Sequence, residues 1–370
     1  MNNWIQNISI GQYRGIKSLV INNLNNVNVI VGDNNSGKTS FLETIYMLRS
    51  PHSLNNVIRS SRLRNVLSIA SSSPYESFIN IFPKDCSEKH IYVQADGVFG
   101  NVSLELIGEE TISVVDDNDL KNLPMSARHI QEKKLLGSEA PAFFGVLKST
   151  VNSNRKETPI KLVSISRAQF YGGIRSTEIN VEYLSPISHI TENAFYNILK
   201  NEDYKYICIQ LIRLFDSDIE DLVYMRNDLN GRAVEYIKSK KLGLMPLATY
   251  GDGIKKVLSL ANGIIEASGG VLLIDEIDTS VHYKYYADIF GFLIKAAAKF
   301  NVQLFITTHS EEAILELLRT QNYELENPPK NDIINVVTFR KNDVGEIRSR
   351  SMNGFEVFNN QQLFDFEVRI

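Results

Sequence analysis

The chain has 370 residues, a formal net charge of −4 and 43% hydrophobic residues. These values exclude a disordered or fibrous protein and suit one large domain or two modest ones. The mildly acidic balance speaks against a protein devoted to coating nucleic acid, although a local basic groove is compatible with it.

The two cysteines, Cys86 and Cys208, lie far apart without metal-ligand spacing. A reducing cytoplasm is therefore the expected setting. The start, Met1-Asn2-Asn3-Trp4, lacks the basic residues and apolar run of a signal peptide. No apolar stretch approaches the ~20 residues that cross a bilayer, so no membrane partner is expected.

In chain order, Ile5 to Ile10 alternates as a half-buried strand does. Gly11 to Gly15 breaks it, and Lys17 to Ile21 reads as a second strand. Val27 to Val31 is β-rich and ends at Gly32, and an apolar-faced helix follows with Phe41, Leu42, Ile45, Tyr46 and Leu48. Residues 50 to 75 read as weakly patterned helix. Phe78–Phe82, Ile91–Val93 and Val102–Ile107 read as short strands of an antiparallel array. Asp116 to Glu157 is polar and mixed, expected to be partly helical, with Pro124 and Pro141. Ile160–Ser166 and Ile179–Leu184 read as strands, Thr191–Arg213 as a helix, and Ile219–Met225 with Ala233–Ile237 as a strand pair. Beyond Gly251 the order becomes regular: helix Ile254–Ala267, buried strand Val271–Ile274, helix Tyr283–Phe300, buried strand Val302–Thr307, helix Glu311–Arg319. A hairpin follows, Ile333–Arg340 with Glu346–Arg350. No repeats or heptad seams are present.

This order predicts an α/β fold in three parts. Residues 1–115 form the N-terminal half of a nucleotide-binding head, 116–240 a β-rich and helical insert, and 241–370 the C-terminal half.

Gly32-Asp33-Asn34-Asn35-Ser36-Gly37-Lys38-Thr39 matches G-x-x-x-x-G-K-[ST] between a strand and a helix, with Ser40 next. Its glycines let backbone N–H groups turn inward onto phosphate oxygens. Lys38 is expected on the β- and γ-phosphates of ATP, and the Thr39 hydroxyl on Mg²⁺. Val271-Leu272-Leu273-Ile274-Asp275-Glu276 is a buried-strand pattern ending in two carboxylates. Beside a phosphate loop, Asp275 is expected to hold the Mg²⁺ shell and Glu276 to polarise the attacking water.

Further segments carry a family resemblance. The wide separation of Lys38 from Asp275 suits a split ABC-type head better than an AAA+ or Ras-like fold. Phe305-Ile306-Thr307-Thr308-His309-Ser310 resembles the strand that ends in the switch histidine of ABC-type ATPases; a histidine capping the next helix would look the same. Ile277 to His282 resembles the D-loop of OLD- and RecF-like ATPases, with Asp278 and His282 matching and Val281 in place of leucine. Thr249-Tyr250-Gly251-Asp252-Gly253-Ile254-Lys255-Lys256 takes the place of the L-S-G-G-Q signature, which is absent, and looks like the G-D-G variant of OLD-type proteins. The missing signature serine leaves open which side chain, Thr249 among them, assists. Gln12 to Lys17 resembles an N-terminal segment of RecF and OLD proteins whose aromatic-Arg pair lies near the nucleotide. This makes Arg14 a candidate for phosphate or base contact, against a plain surface arginine, and Tyr13 a core residue. Gln94 is the best place for a metal-contacting Q-loop glutamine, although a surface strand glutamine looks the same.

The chain thus resembles ABC-type P-loop ATPases of the OLD/RecF/SMC-like class over Ile5–Leu48 and Leu247–Leu318. The resemblance implies that Gly251, Asp252 and Gly253 reach the partner's γ-phosphate in a head-to-tail dimer. The stretch after His309 is too short for the Toprim nuclease domain of OLD proteins, and the insert lacks SMC arms. The expectation is therefore a stand-alone ATPase of the kind found in bacterial phage-defence systems such as PARIS, acting with a separate effector. The alternative is a RecF-like DNA-binding ATPase, with Arg128, Lys133, Lys134, Lys148, Arg155 and Lys156 facing DNA or merely solvated.

Overall fold

The computed structural model describes residues 1–64, 74–84, 88–117, 119, 136–165, 178–191, 194–226, 233–325, 327–342 and 345–364. In chain order the elements are β1 (Asn7–Tyr13), β2 (Ile16–Ile21), β3 (Val27–Gly32), α1 (Lys38–Met47), α2 (Leu54–Ser60), α3 (Pro74–Ile79), β4 (Lys89–Gly97), β5 (Gly100–Val114), β6 (Glu139–Val151), β7 (Asn154–Val163) and β8 (Val181–Leu184). Then come α4 (Ser188–Thr191), α5 (Glu202–Ile212), β9 (Ile219–Arg226), β10 (Ala233–Ser239), β11 (Gly243–Pro246), α6 (Asp252–Glu266), β12 (Val271–Ile274), α7 (Tyr286–Phe300), β13 (Gln303–Thr307), α8 (Glu311–Arg319), β14 (Ile334–Lys341), β15 (Ile347–Asn353) and α9 (Gly354–Phe364).

Two six-stranded sheets organise the chain. One is antiparallel, in the order β2-β1-β4-β5-β6-β7. The other runs β15-β14-β3-β13-β12-β8, and all its strands are parallel except β15 at the edge. The parallel strands read as unbroken apolar runs because both faces are covered. Leu272 and Ile274 pack into one core with α5, α6, α7 and α8. Val271 and Leu273 face the other, which α1 shares with the antiparallel sheet. Helix α1 is therefore held between the two sheets, its Phe41 ring edge-on to Phe339 at 5.4 Å. A small third sheet, β11-β10-β9, follows α5.

The three-part division needs correction. Strand β5 pairs along its length with β6, and β6 with β7, so the antiparallel sheet crosses the boundary drawn at residue 115. Strand β8 pairs with β12 in the parallel sheet. The 116–240 stretch is thus shared between layers rather than set apart. Its polar face hid β6 and the first half of β7, which carry Lys148, Arg155 and Lys156 outward, while Phe143, Leu147, Ile160 and Leu162 fill the core; the second half of β7 falls within the strand expected at Ile160–Ser166. Phe78–Phe82 is also corrected, since Phe78 lies in helix α3. Tyr75, Phe78 and Phe82 are buried at helical spacing.

Candidate functional site

The parallel strands deliver their C-terminal ends to one edge, and the ligating side chains gather there. The loop from β3 to α1 turns through Gly32, at φ +142°, and Gly37, at φ +95°. A Cβ on Gly32 would stand 2.3 Å from the Phe339 carbonyl oxygen, and one on Gly37 would stand 2.5 Å from Ile347 Cδ1. Only glycine fits either place. Asn34, Asn35, Ser36, Gly37, Lys38, Thr39 and Ser40 wall a cleft of about 390 Å³, which Arg14, Glu43, Ser61, Arg64, Glu276 and His309 complete.

Lys38 begins α1 and is largely buried, its Nζ donating to the carbonyls of Gly32 at 2.6 Å and Asp33 at 2.8 Å. Burial lowers its pKa, against the raising pull of Asp275, Glu276 and Asp33. Ser36 Oγ and His309 Nδ1 are buried without hydrogen-bond partners among the described residues. Such atoms are costly unless something accepts from them or donates to them.

The carboxylate pair sits where β12 ends. Asp275 is fully buried. Its Oδ1 accepts from Thr307 Oγ1 at 2.7 Å, and its Oδ2 from Tyr183 at 2.8 Å and Arg64 Nε at 2.6 Å. The Thr39 hydroxyl lies 3.3 Å from Oδ2 and 3.5 Å from Oδ1. Burial alone would raise the carboxyl's pKa; the hydrogen bond and charge of Arg64, with Thr307 and Tyr183, outweigh it and hold the group below its ordinary value. Glu276 stands in the left-handed region at φ +50°. Its N–H donates to Thr307 Oγ1 at 2.8 Å and its carboxylate meets Arg64 at 2.8 Å. Thr39 and Asp275 form an all-oxygen donor set, which suits a hard dication such as Mg²⁺.

The D-loop resemblance has a structural counterpart. Asp278 accepts from Thr308 Oγ1 at 2.5 Å. Thr279 Oγ1 donates to the Glu276 carbonyl at 2.8 Å and accepts from buried Lys256 of α6 at 3.2 Å. Burial lowers the Lys256 ammonium to about 8.

The other sequence candidates are placed as follows. Tyr13 is core, as expected, and donates to Glu43 Oε2 at 2.9 Å. Arg14 reaches the cleft wall, where it pairs with Glu43 at 3.0 Å and donates to the Ser61 carbonyl at 3.0 Å. Gln94 is a correction. On β4, in the middle of the antiparallel sheet, it accepts from Tyr92 at 2.5 Å and donates to Asn101 at 3.2 Å, and it does not line the cleft. Gly251, Asp252 and Gly253 open α6 outside the lining of the cleft, and Asp252 pairs with Lys255 at 3.1 Å. Arg128, Lys133 and Lys134 lie outside the described residues. Sequence reading missed Arg64, Tyr183, Thr307 and Glu43. Thr307 alone had a local signal, as the last strand residue two places before His309.

The family described as "AAA domain, putative AbiEii toxin, Type IV TA system" matches residues 27–316, from the strand before the phosphate loop to α8. The chain belongs to this family. It is a P-loop ATPase. It is similar to an ATP/GTP phosphatase of Helicobacter pylori, at 24% identity over 84% of this chain and 86% of that protein. It is also similar to the DNA replication and repair protein RecF of Francisella tularensis, at 23% identity over 87% of this chain and 99% of that one. Among solved structures, the SmcHead bound to the C-winged helix domain of ScpA aligns with a TM-score of 0.49 at 14% identity, over 96% of this chain and 99% of that chain.

Proposed function

We propose that this ATPase is a nucleotide-driven switch that works with a separately encoded effector in antiviral defence. The observation that carries the switch is the convergence of Lys38, Thr39, Asp275, Glu276 and His309 at one strand edge. Thr39 and Asp275 would hold Mg²⁺, which supplies charge neutralisation on the β- and γ-oxygens. The loop N–H groups and Lys38 orient the triphosphate. Glu276 positions a water for attack on the γ-phosphorus and accepts its proton as the bond to the β-γ bridging oxygen breaks. His309 Nδ1, with no partner among the described residues, is available to the γ-phosphate.

Gly251-Asp252-Gly253 opens the 15-residue helix α6 with its N–H groups outside this chain's own cleft. That placement supports a head-to-tail dimer in which the segment meets the partner's nucleotide. Lys256 and Thr279 tie the same helix to the Glu276 backbone. The defence assignment is supported by the family's toxin–antitoxin description. Glu276→Gln is expected to trap ATP and a dimer, read by light scattering. Lys38→Ala is expected to abolish turnover. Unchanged turnover in Lys38→Ala, or a Glu276→Gln protein that stays monomeric with ATP, refutes the switch.

The RecF relative, aligned over almost its whole length, favours a second reading as a DNA-binding ATPase. Lys148, Arg155 and Lys156 lie on neighbouring strands, but Lys148 has Glu105 at 3.9 Å and Glu157 opposite it in register, which dilutes the positive charge. Salt-dependent binding to duplex DNA tests this reading, and its absence at low salt removes it.

A further inference from the structure

Two arginines outside the phosphate loop line the cleft: Arg14, which is paired with Glu43, and Arg64. Arg64 bridges the two reactive carboxylates, with Nε 2.6 Å from Asp275 Oδ2 and a terminal nitrogen 2.8 Å from Glu276 Oε1. Asp275 Oδ2 is the oxygen nearer the Thr39 hydroxyl, at 3.3 Å, so the guanidinium sits on the face of the carboxylate that the proposed ion needs. With Thr307, Tyr183, Thr39 and Arg64 all directed at Asp275, its roughly four lone-pair sites are taken. An arriving dication must therefore displace a donor. Tyr183 and Thr307 are buried at 9% and 0% exposure, whereas the Arg64 side chain is 42% exposed and can withdraw into water.

We infer that Arg64 is the internal counter-cation of this site, a positioning residue that competes with the divalent ion for Asp275 and Glu276 and sets how tightly the ion is held. This rests on the assignment of Asp275 to the metal made above. Charge balance supplies the reason. Two adjacent carboxylates, one of them fully buried, carry a heavy desolvation cost unless a cation neutralises them. Arg64 supplies that neutralisation before the ion does, and its fork geometry spans both groups where a lysine could not. The carboxylate pair is thereby neutralised before an ion arrives, at the cost of a weaker hold on the metal.

A competing arginine and a merely structural one act on ion binding with opposite sign. Loss of a structural arginine would loosen the site and weaken ion binding; loss of a competitor strengthens it. The test is Mn²⁺ binding to the nucleotide-free full chain, read by the disappearance of the free-ion electron paramagnetic resonance signal. Arg64→Gln is expected to bind Mn²⁺ about tenfold more tightly than the wild type, the scale of one charge-assisted pair partly open to solvent. Arg64→Lys is expected to fall between them. Mn²⁺ is also expected to raise the melting temperature of Arg64→Gln more than that of the wild type. Equal or weaker Mn²⁺ binding by a folded Arg64→Gln protein, or none in either protein, overturns the inference. Asp275→Asn separates this failure from that of the underlying site. If it leaves Mn²⁺ binding intact, the assignment of Asp275 to the metal falls. If it abolishes binding while Arg64→Gln fails to tighten it, only the role of Arg64 falls.

Discussion

Replacing Thr307 by valine keeps the volume of a buried strand residue and removes one hydroxyl that serves both carboxylate residues. That hydroxyl donates to Asp275 Oδ1 at 2.7 Å and accepts from the Glu276 N–H at 2.8 Å. A hydrogen bond to a charged group contributes about 1.5–3 kcal/mol, and an orphaned buried N–H adds about 1 kcal/mol of cost. The variant should therefore lose about 3 kcal/mol, read from urea unfolding midpoints at constant slope. Asp275 is held below its ordinary pKa, so its contribution to stability is present above the unfolded value and lost as pH falls through the folded one. Without Thr307 the folded value rises, and acid unfolding should begin at higher pH. Turnover should suffer as well, because Glu276 occupies a left-handed conformation at φ +50° that this bond anchors. Slippage on the order of 1 Å at a catalytic group costs about a hundredfold, so kcat should fall about ten- to a hundredfold with little change in KM. Thr307→Ser keeps the hydroxyl and should stay within about 1 kcal/mol of the wild type. A valine variant as stable and as active as the wild type would refute this account of the site.

Two further substitutions probe the walls of the cleft. Burial lifts the Glu43 carboxyl to about 7, against the lowering effect of Arg14 and the Tyr13 hydroxyl. A raised folded pKa means that this contribution is complete below the unfolded value and is lost as pH rises through the folded one. Relative to Glu43→Gln, the wild type should thus lose on the order of 3 kcal/mol between about pH 4.5 and 7, and parallel stability profiles would exclude it. Gly37→Ala places a side chain at φ +95° and 2.5 Å from Ile347 Cδ1. It should cost about 2 kcal/mol of stability and lower nucleotide affinity in a fluorescent-ATP titration; unaltered affinity would show that the loop tolerates a different path.

The sequence by itself determined the local chemistry. A strand, a glycine-bearing loop and a helix are contiguous, so Gly32 to Thr39 announces its own conformation, and the apolar run Val271–Ile274 announces a strand buried on both faces. The Asp275–Glu276 pair and His309 were legible for the same reason: each ends such a strand, and parallel strands place their C-terminal ends on one edge. Local patterning failed where the burial partner is remote. Strand β6 and the first half of β7 present so many polar residues to solvent that the pairing of β6 with β5 and β7 is invisible locally, and nothing local tells a sheet glutamine such as Gln94 from a cleft one. Only the tertiary structure could bring Arg64 and Tyr183 onto Asp275, or close Glu43 against Tyr13 and Arg14. These contacts join chain segments tens to hundreds of residues apart. Hydrogen bonds and ion pairs act over a few ångströms of space, whatever the separation along the chain, so the packing of α1 between two sheets decides them.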